Sequence, residues 1–193
     1  MSRMTTALAF AAALYAAAPA FAGQFVVELD APLPAPSPAL LESHAVTLDE
    51  TLSAGPESYA VFTAADMDAL EGFLDNAAID AGKISEVLFV NSPTVGGGAP
   101  AGPEPRDGHG VFVIERPIPG VGFFGLEKKR KISQNSNAAI EKLGEIIEWD
   151  HSYLTSEGTY CVYRADSPET LREHGALAGA PIGKITLVEQ RVH

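Results

Sequence analysis

The chain has 193 residues, of which 46% are hydrophobic, and a formal net charge of −12 at pH 7. This composition is that of a globular protein with room for one large or two small domains. A strongly acidic surface repels phosphate backbones, so the composition argues against nucleic-acid binding. Acidity is compatible with cation binding, and equally with solubility alone.

The first 22 residues have the layout of a secretory signal peptide. A short segment containing Arg3 precedes an apolar run over 7–18 and a small-x-small cleavage site at 20–22. The apolar run is shorter than the roughly 20 residues that cross a bilayer. We therefore expect an exported protein, periplasmic or secreted, without a membrane anchor once the leader is removed.

An internal repeat follows the leader. A shift of 101 residues aligns 46–90 with 147–191 without a gap, and ten of the 45 pairs are identical. A shift of 87 aligns 25–28 with 112–115, so the first copy is 14 residues shorter between its first two strands. A long ungapped run that preserves the apolar pattern indicates duplication.

The alignment divides the mature chain into three parts. Residues 23–90 form a degenerate first repeat, and residues 111–193 form an intact second repeat. Between them, residues 91–110 are rich in Gly and Pro and cannot bury enough apolar surface to offset their ordering entropy. We predict that this stretch is a linker.

The predicted elements begin with the strand at 25–28 and a shortened first helix, after which the first repeat follows the pattern of the second. The second repeat opens with an apolar, β-branched strand at 111–115. Its other predicted elements, from periodicity and caps, are a helix at 126–143, strands at 146–154 and 159–163, a helix from Pro168 to Gly179 and a last strand at 184–192.

The order β-α-β-β-α-β is the ferredoxin-like split βαβ arrangement. We therefore predict an α+β fold of two tandem ferredoxin-like modules. Modules of about 70 to 80 residues are small for independent stability. We expect the two to pair within the chain as a pseudo-dimer, in a monomer or a homodimer.

Three segments of the second repeat carry a family resemblance: FVIERPIPGVG at 112–122, SNAAIEKLG at 136–144 and WDHSYLTSEGTYCVYRADSPETLREH at 149–174. They resemble a family of small bacterial ferredoxin-like proteins that is catalogued as a domain of unknown function. The family includes nickel-binding, nickel-responsive members that form dimers. The resemblance covers about 111–192, with a degenerate copy at about 24–90.

The resemblance implies the ferredoxin-like fold and a nickel ion as the bound metal. Two departures limit it. The family typically has one module per chain, whereas two are fused here. The first repeat lacks the motif residues, so any site is expected once.

Two histidines are the candidate metal ligands, since imidazole suits nickel, zinc and copper alike. Strict alternation places His151 on one strand face with Trp149 and Tyr153, in an otherwise apolar row. The alignment puts Phe73 at the position of His174, which predicts a buried side chain there. The alternative for each is a core histidine that hydrogen-bonds a tyrosine hydroxyl or a backbone group.

The single cysteine, Cys161, lies in an apolar strand and is interpreted as a small buried residue, with a thiol role as the alternative. No metalloprotease, dithiol, nucleophile-elbow or phosphate-loop motif occurs. We therefore assign no catalytic residue.

The leading hypothesis from the sequence is an exported protein that sequesters or senses a transition-metal ion, nickel by resemblance, without turnover. The first alternative is a small enzyme whose paired ferredoxin-like sheets enclose a cavity for a small hydrophobic substrate. The second alternative is an interaction module without chemistry.

Overall fold

The structure is a computed structural model that describes residues 22–193. The predicted signal peptide lies outside the described residues except for its last position. Within the described part, no helix combines the length and the apolar character that a membrane span requires.

Residues 22–193 contain ten strands, four α-helices and three short 3-10 helices. The strands are β1 Gly23–Leu29, β2 Thr47–Ala54, β3 Glu57–Ala64, β4 Ile84–Val87, β5 Phe89–Asn91, β6 Gly110–Arg116, β7 Ile147–Leu154, β8 Thr159–Ala165, β9 Ile185–Val188 and β10 Gln190–Val192. The helices are α1 Pro38–His44, α2 Met67–Asn76, α3 Leu126–Leu143 and α4 Pro168–Ala178.

The strands form two antiparallel sheets. The first has the order β10-β2-β3-β1-β4 and the second has the order β5-β7-β8-β6-β9. Without the short strands β5 and β10, each sheet has the strand order of a ferredoxin-like unit with two helices. The predicted α+β class and element order are confirmed. We call β1–β5 with α1 and α2 the first module, and β6–β10 with α3 and α4 the second module.

The predicted last strand at 184–192 is not continuous. Its first part, β9, pairs with β6 of its own module, and its second part, β10, pairs with β2 of the other sheet. The first module does the same, because β4 pairs with β1 whereas β5 crosses to pair with β7. Each module thus adds one edge strand to the other's sheet.

The two sheets pack face to face, with the helices outside. A single apolar cluster between the sheets takes residues from both modules, among them Val61, Val113 and Val162. At its centre the rings of Tyr59 and Tyr160, which are 101 positions apart, meet edge to face with their centroids 5.9 Å apart. From this contact and the reciprocal strand exchange we infer a pseudo-two-fold axis that passes between these tyrosines.

Hydrogen bonds repeat around this axis. The Tyr59 hydroxyl donates to Glu115 at 2.7 Å, and the Tyr160 hydroxyl donates to Glu28 at 2.5 Å. These pairs exchange places under the shifts of 101 and 87 that align the sequence. Burial raises the pKa of both tyrosines, so both hydroxyls stay protonated donors.

The predicted linker, 91–110, begins with a packed segment. Asn91 is buried and accepts a hydrogen bond of 2.7 Å from the Ser133 hydroxyl, and the Asn137 amide donates to the Pro93 carbonyl at 3.0 Å. Hydrogen bonds to α3 hold this segment where apolar burial alone could not.

Candidate functional site

A cavity of about 210 Å³ lies in the second module, between the helix-facing side of the sheet and helices α3 and α4. Its lining combines apolar side chains with a group of polar ones that belong to four different elements. The polar group consists of Arg116 on β6, Ser136 on α3, Cys161 and Tyr163 on β8, and His174 on α4. Four further polar residues also line the cavity: Asn91, Asn135, Ser152 and Thr159.

Arg116 is 5% exposed and is the single charged side chain among the residues that line this cavity. One guanidinium nitrogen donates to the Pro181 carbonyl at 2.9 Å, and another lies 3.5 Å from Nδ1 of His174. Burial opposes the charge, but the neighbouring Cys161 and Tyr163 side chains keep the pKa of Arg116 above its ordinary value. The group is a cation in a largely apolar enclosure.

His174 is 1% exposed, as the alignment with Phe73 predicted. Its Nε2 lies 3.0 Å from the Ser136 hydroxyl, which lies 2.8 Å from the hydroxyl of Tyr163. Burial and the charge of Arg116 lower the pKa of His174 to about 4. The imidazole is therefore neutral at physiological pH, and Arg116 as a donor to Nδ1 places the ring proton on Nε2.

The same positions are apolar in the first module. The shifts of 87 and 101 place Leu29, Ala60, Phe62 and Phe73 at the positions of Arg116, Cys161, Tyr163 and His174. All four belong to one buried apolar cluster, in which the rings of Phe62 and Phe73 are 5.6 Å apart. The polar group is therefore a property of the second module and not of the fold.

His151 lies elsewhere, because β7 does not alternate strictly. A β-bulge between Trp149 and His151 shifts the register, so Trp149 pairs with Tyr163 on the helix side whereas His151 pairs with Val162 on the side that faces the other sheet. For this reason the predicted row is wrong in placing Trp149 on the face of His151, whereas His151 and Tyr153 do share a face, with ring centroids 4.8 Å apart.

At the interface between the sheets, Nε2 of His151 lies 3.2 Å from a carboxylate oxygen of Glu50. The two residues are 101 positions apart, so they face each other across the pseudo-two-fold axis. The Tyr153 hydroxyl donates to the same carboxylate at 2.8 Å, and Arg191 donates to its other oxygen at 2.7 Å. His193 Nδ1 is 3.8 Å from that second oxygen.

Glu50 is ionised, although it is only 2% exposed. Burial raises the pKa of its carboxyl group, but the hydrogen bond and charge of His151, together with the charge of Arg191, lower the pKa to about 2. Asp150, the residue in the bulge, pairs with both Arg164 and Arg191. The interface therefore contains a compact network of charges beside His151.

The structure does not bring the two predicted ligands together, because His174 faces helix α3 and His151 faces the other sheet. Among residues 22–193, no group of three or more His, Cys, Asp or Glu side chains is placed to hold a metal ion. The donor chemistry fits a cation better at His151, beside the ionised Glu50, than at His174, beside the guanidinium of Arg116.

Sequence reasoning missed Arg116 and Glu50. The signal for Arg116 was its alignment with Leu29, since a charge at an apolar position of the repeat needs an explanation. The signal for the bulge was the identical pair of Asp49 and Asp150 at the same point of the two aligned strands. Cys161 is a free, buried strand residue, as predicted.

Residues 112–188 match the family described as nickel responsive protein, SCO4226-like. The resemblance seen in the sequence is thereby confirmed for the second module. The matched residues include His151, the bulge and every side chain that lines the cavity except Asn91. Glu50 and Arg191 lie outside them, so the nickel responsive family match does not extend to Glu50, the partner of His151, or to Arg191, which pairs with Glu50. No curated protein sequence matches the chain.

Solved structures of similar shape are distant. A mutant chlorite dismutase from Candidatus Nitrospira defluvii has 10% identity and a TM-score of 0.46, over 88% of this chain and 91% of that chain. A proposed monooxygenase from Lactobacillus acidophilus NCFM has 8% identity and a TM-score of 0.39, over 88% and 93% of the two chains. At these values neither similarity says what this chain binds.

Proposed function

We propose that this protein is exported and binds nickel, for sequestration or sensing of the ion. The match of residues 112–188 to a nickel responsive family is the observation that carries this proposal. The leader-like first 22 residues support export.

His151 and Glu50 are the proposed protein ligands. Metal–ligand distances of about 2.0–2.2 Å put two adjacent donor atoms about 3 Å apart, which is close to the 3.2 Å between His151 Nε2 and Glu50. The carboxylate is ionised and carries negative charge into the site. His193, whose imidazole is 63% exposed, or water supplies further donors.

The pseudo-two-fold axis is a second reason to place the metal ion at His151 and Glu50. In a homodimer of the second module alone, packed as the two modules pack here, His151 would meet its own copy across the axis. Two facing imidazoles are a common start for a transition-metal site. The fused chain replaces one of them by Glu50, which keeps a metal-ligand type at the same point.

Titration of the mature chain with Ni²⁺, Zn²⁺ and Cu²⁺ tests the proposal. The wild type is expected to bind Ni²⁺ more tightly than about 100 μM. His151→Asn and Glu50→Gln are expected to weaken binding by at least about tenfold, whereas the control His174→Phe leaves it unchanged. Circular dichroism establishes that each variant is folded.

Three results contradict the proposal. Absence of binding in the folded wild type excludes nickel binding. Retained binding in His151→Asn together with loss in His174→Phe moves the ion to the other histidine. Retained binding in all three variants excludes both predicted ligands.

A second candidate function is a small enzyme, and the cavity in the second module favours it. The space between the sheets is filled by an apolar cluster, so the substrate would enter between the sheet and helices α3 and α4. Neutral His174 beside Tyr163 and Ser136 is then available for acid–base chemistry. Conversion of a small hydrophobic compound that stops in His174→Phe but not in His151→Asn is the expected behaviour.

A further inference from the structure

We propose that the cavity of the second module is a binding site for a small organic carboxylate with an apolar ring or chain. The observation that carries this inference is the buried guanidinium of Arg116, which no carboxylate of residues 22–193 approaches within 4.0 Å. The inference concerns a site apart from His151 and is independent of nickel binding.

A second arginine shows how this chain handles a buried charge. Arg164 is also 5% exposed, but its guanidinium lies 3.0 Å from the carboxylate of Asp150. Arginine is almost never fully buried unless it is paired, since transfer of a charge out of water costs several kcal/mol. Arg116 has the burial of Arg164 without the counter-ion, so the anion is expected from outside the chain.

The guanidinium of Arg116 also has unused donors. Of its five N–H groups, one donates to the Pro181 carbonyl and one faces Nδ1 of His174. A planar carboxylate pairs with the remaining edge of such a fork in two parallel hydrogen bonds. The neutral His174 and the hydroxyl groups of Ser136 and Tyr163 add polar contacts beside the anion without adding negative charge.

The rest of the cavity determines the size and polarity of the part of the ligand beyond its carboxylate. Its lining away from Arg116 includes Ile118, Val121, Ile132 and the indole of Trp149, and it contains no aspartate or glutamate. An apolar cavity of about 150 Å³ holds a benzene molecule. At about 210 Å³, this cavity has room for a six-membered ring or branched chain with one carboxylate, which is the size of benzoate.

The absence of this group from the first module supports a selected function. Leu29 replaces Arg116 there, and Phe73 replaces His174, with no change in the order of strands and helices. The fold therefore does not need a charge at this position. The Pro181 carbonyl and the ring of Tyr163, 5.9 Å from the guanidinium carbon, are weak compensation for a full charge. A buried cation that lacks a carboxylate among residues 22–193, and that the fold does not need, is explained by a ligand that pairs with it.

The experiment is a titration of the mature chain with benzoate, followed by the fluorescence of Trp149, the single tryptophan of the chain, which lines the cavity. Calorimetry gives the affinity independently. Benzamide, which has the same shape without the charge, and acetate, which has the charge without the ring, are the matched probes. Benzoate is expected to bind at least about tenfold more tightly than either.

The variants locate the site. Arg116→Leu, which introduces the residue of the first module, is expected to lower benzoate affinity by at least about tenfold, and Arg116→Lys by less, since it keeps the charge and loses the fork. Tyr59 does not line the cavity, and Tyr59→Phe is expected to leave benzoate affinity unchanged. The comparison of the three probes on the wild type does not depend on whether any variant folds.

Three results overturn the inference. The first is no benzoate binding up to about 10 mM. The second is equal affinity for benzamide, which removes the role of the charge, or for acetate, which removes the role of the apolar body. The third is full affinity in a folded Arg116→Leu variant.

Discussion

The two modules place the same strands and helices around different interiors. On the helix side of the first sheet, Phe62 and Phe73 pack in an apolar cluster with Leu29. At the equivalent positions of the second sheet, Tyr163, His174 and Arg116 line a cavity. Helix α1 has seven residues, whereas α3 has 18 and contributes Ser136 to the polar group.

The difference separates what the fold requires from what a site requires. Both modules keep the bulge, the strand exchange and the tyrosine at the interface, so these features serve the pairing of the sheets. The interiors differ at four equivalent positions, and at each of them the second module has a more polar side chain than the first. Because the first module shows that apolar residues are sufficient for the fold, the polar ones are candidates for function.

The largest expected change in stability comes from placing an arginine in the first module, at the position equivalent to Arg116. In Leu29→Arg, the guanidinium would replace a buried side chain of the apolar cluster without a counter-ion. We expect a loss of at least about 4 kcal/mol in the free energy of unfolding, or failure to fold. Urea denaturation measures it, with Leu29→Met as the control, which is expected to cost less than about 1.5 kcal/mol. Equal stability of the two variants would show that the first module has room for a charge.

The next effect contrasts the two buried arginines. Arg164→Leu leaves Asp150 with one arginine instead of two, and we expect a loss of about 3 kcal/mol. Arg116→Leu removes a charge that no carboxylate of residues 22–193 pairs with, and we expect unchanged stability or a gain of about 1–2 kcal/mol. Thermal and urea unfolding without added ligand measure both. A loss of similar size in both variants would contradict the assignment of Arg116 to a ligand.

The pH dependence of stability distinguishes His174 from Phe73. Unfolded His174 takes up a proton near pH 6.5, but the folded residue stays neutral until about pH 4. The unfolded state therefore binds more protons between these values, and stability falls as the pH is lowered from 6.5 to 4, by on the order of 3 kcal/mol. In His174→Phe this loss is expected to disappear.

The titration of Glu50 does not affect stability in the upper part of this pH range. Its pKa is lowered from 4.5 to about 2, so its contribution to stability is lost as the pH falls below 4.5. Unfolding measured between pH 6.5 and 4.5 therefore reports on His174. His193→Gln, at an exposed position, is the control and should keep the wild-type slope. The same slope in His174→Phe would mean that another group titrates.

The sequence predicted the parts of the fold that depend on local pattern. The helix at 126–143 and the hairpin of β7 and β8 lie where periodicity and turn residues placed them. The burial of His174 followed from Phe73 at the aligned position. These features depend on residues that are close in the chain or related by the repeat.

The features that escaped prediction depend on contacts between distant segments. The bulge at Asp150 is stabilised by Arg164 and Arg191, and without it strict alternation assigns His151 to the wrong face. The crossing of β10 to the first sheet similarly depends on its pairing with β2. No local pattern carries either interaction.

The smallest expected effect tests the symmetry of the interface. Tyr59→Phe and Tyr160→Phe each remove a hydroxyl that donates to a glutamate of the other module. Each tyrosine hydroxyl also lies near a hydroxyl side chain of the other module. Thr186 on β9 is near Tyr59, and Ser85 on β4 is near Tyr160. We expect each substitution to cost about 1–2 kcal/mol, with the two values equal within about 0.5 kcal/mol. Denaturant unfolding of both variants gives the comparison. A larger difference would mean that divergence has reached the interface as well as the interiors, and the first module would then no longer serve as the apolar reference for the second.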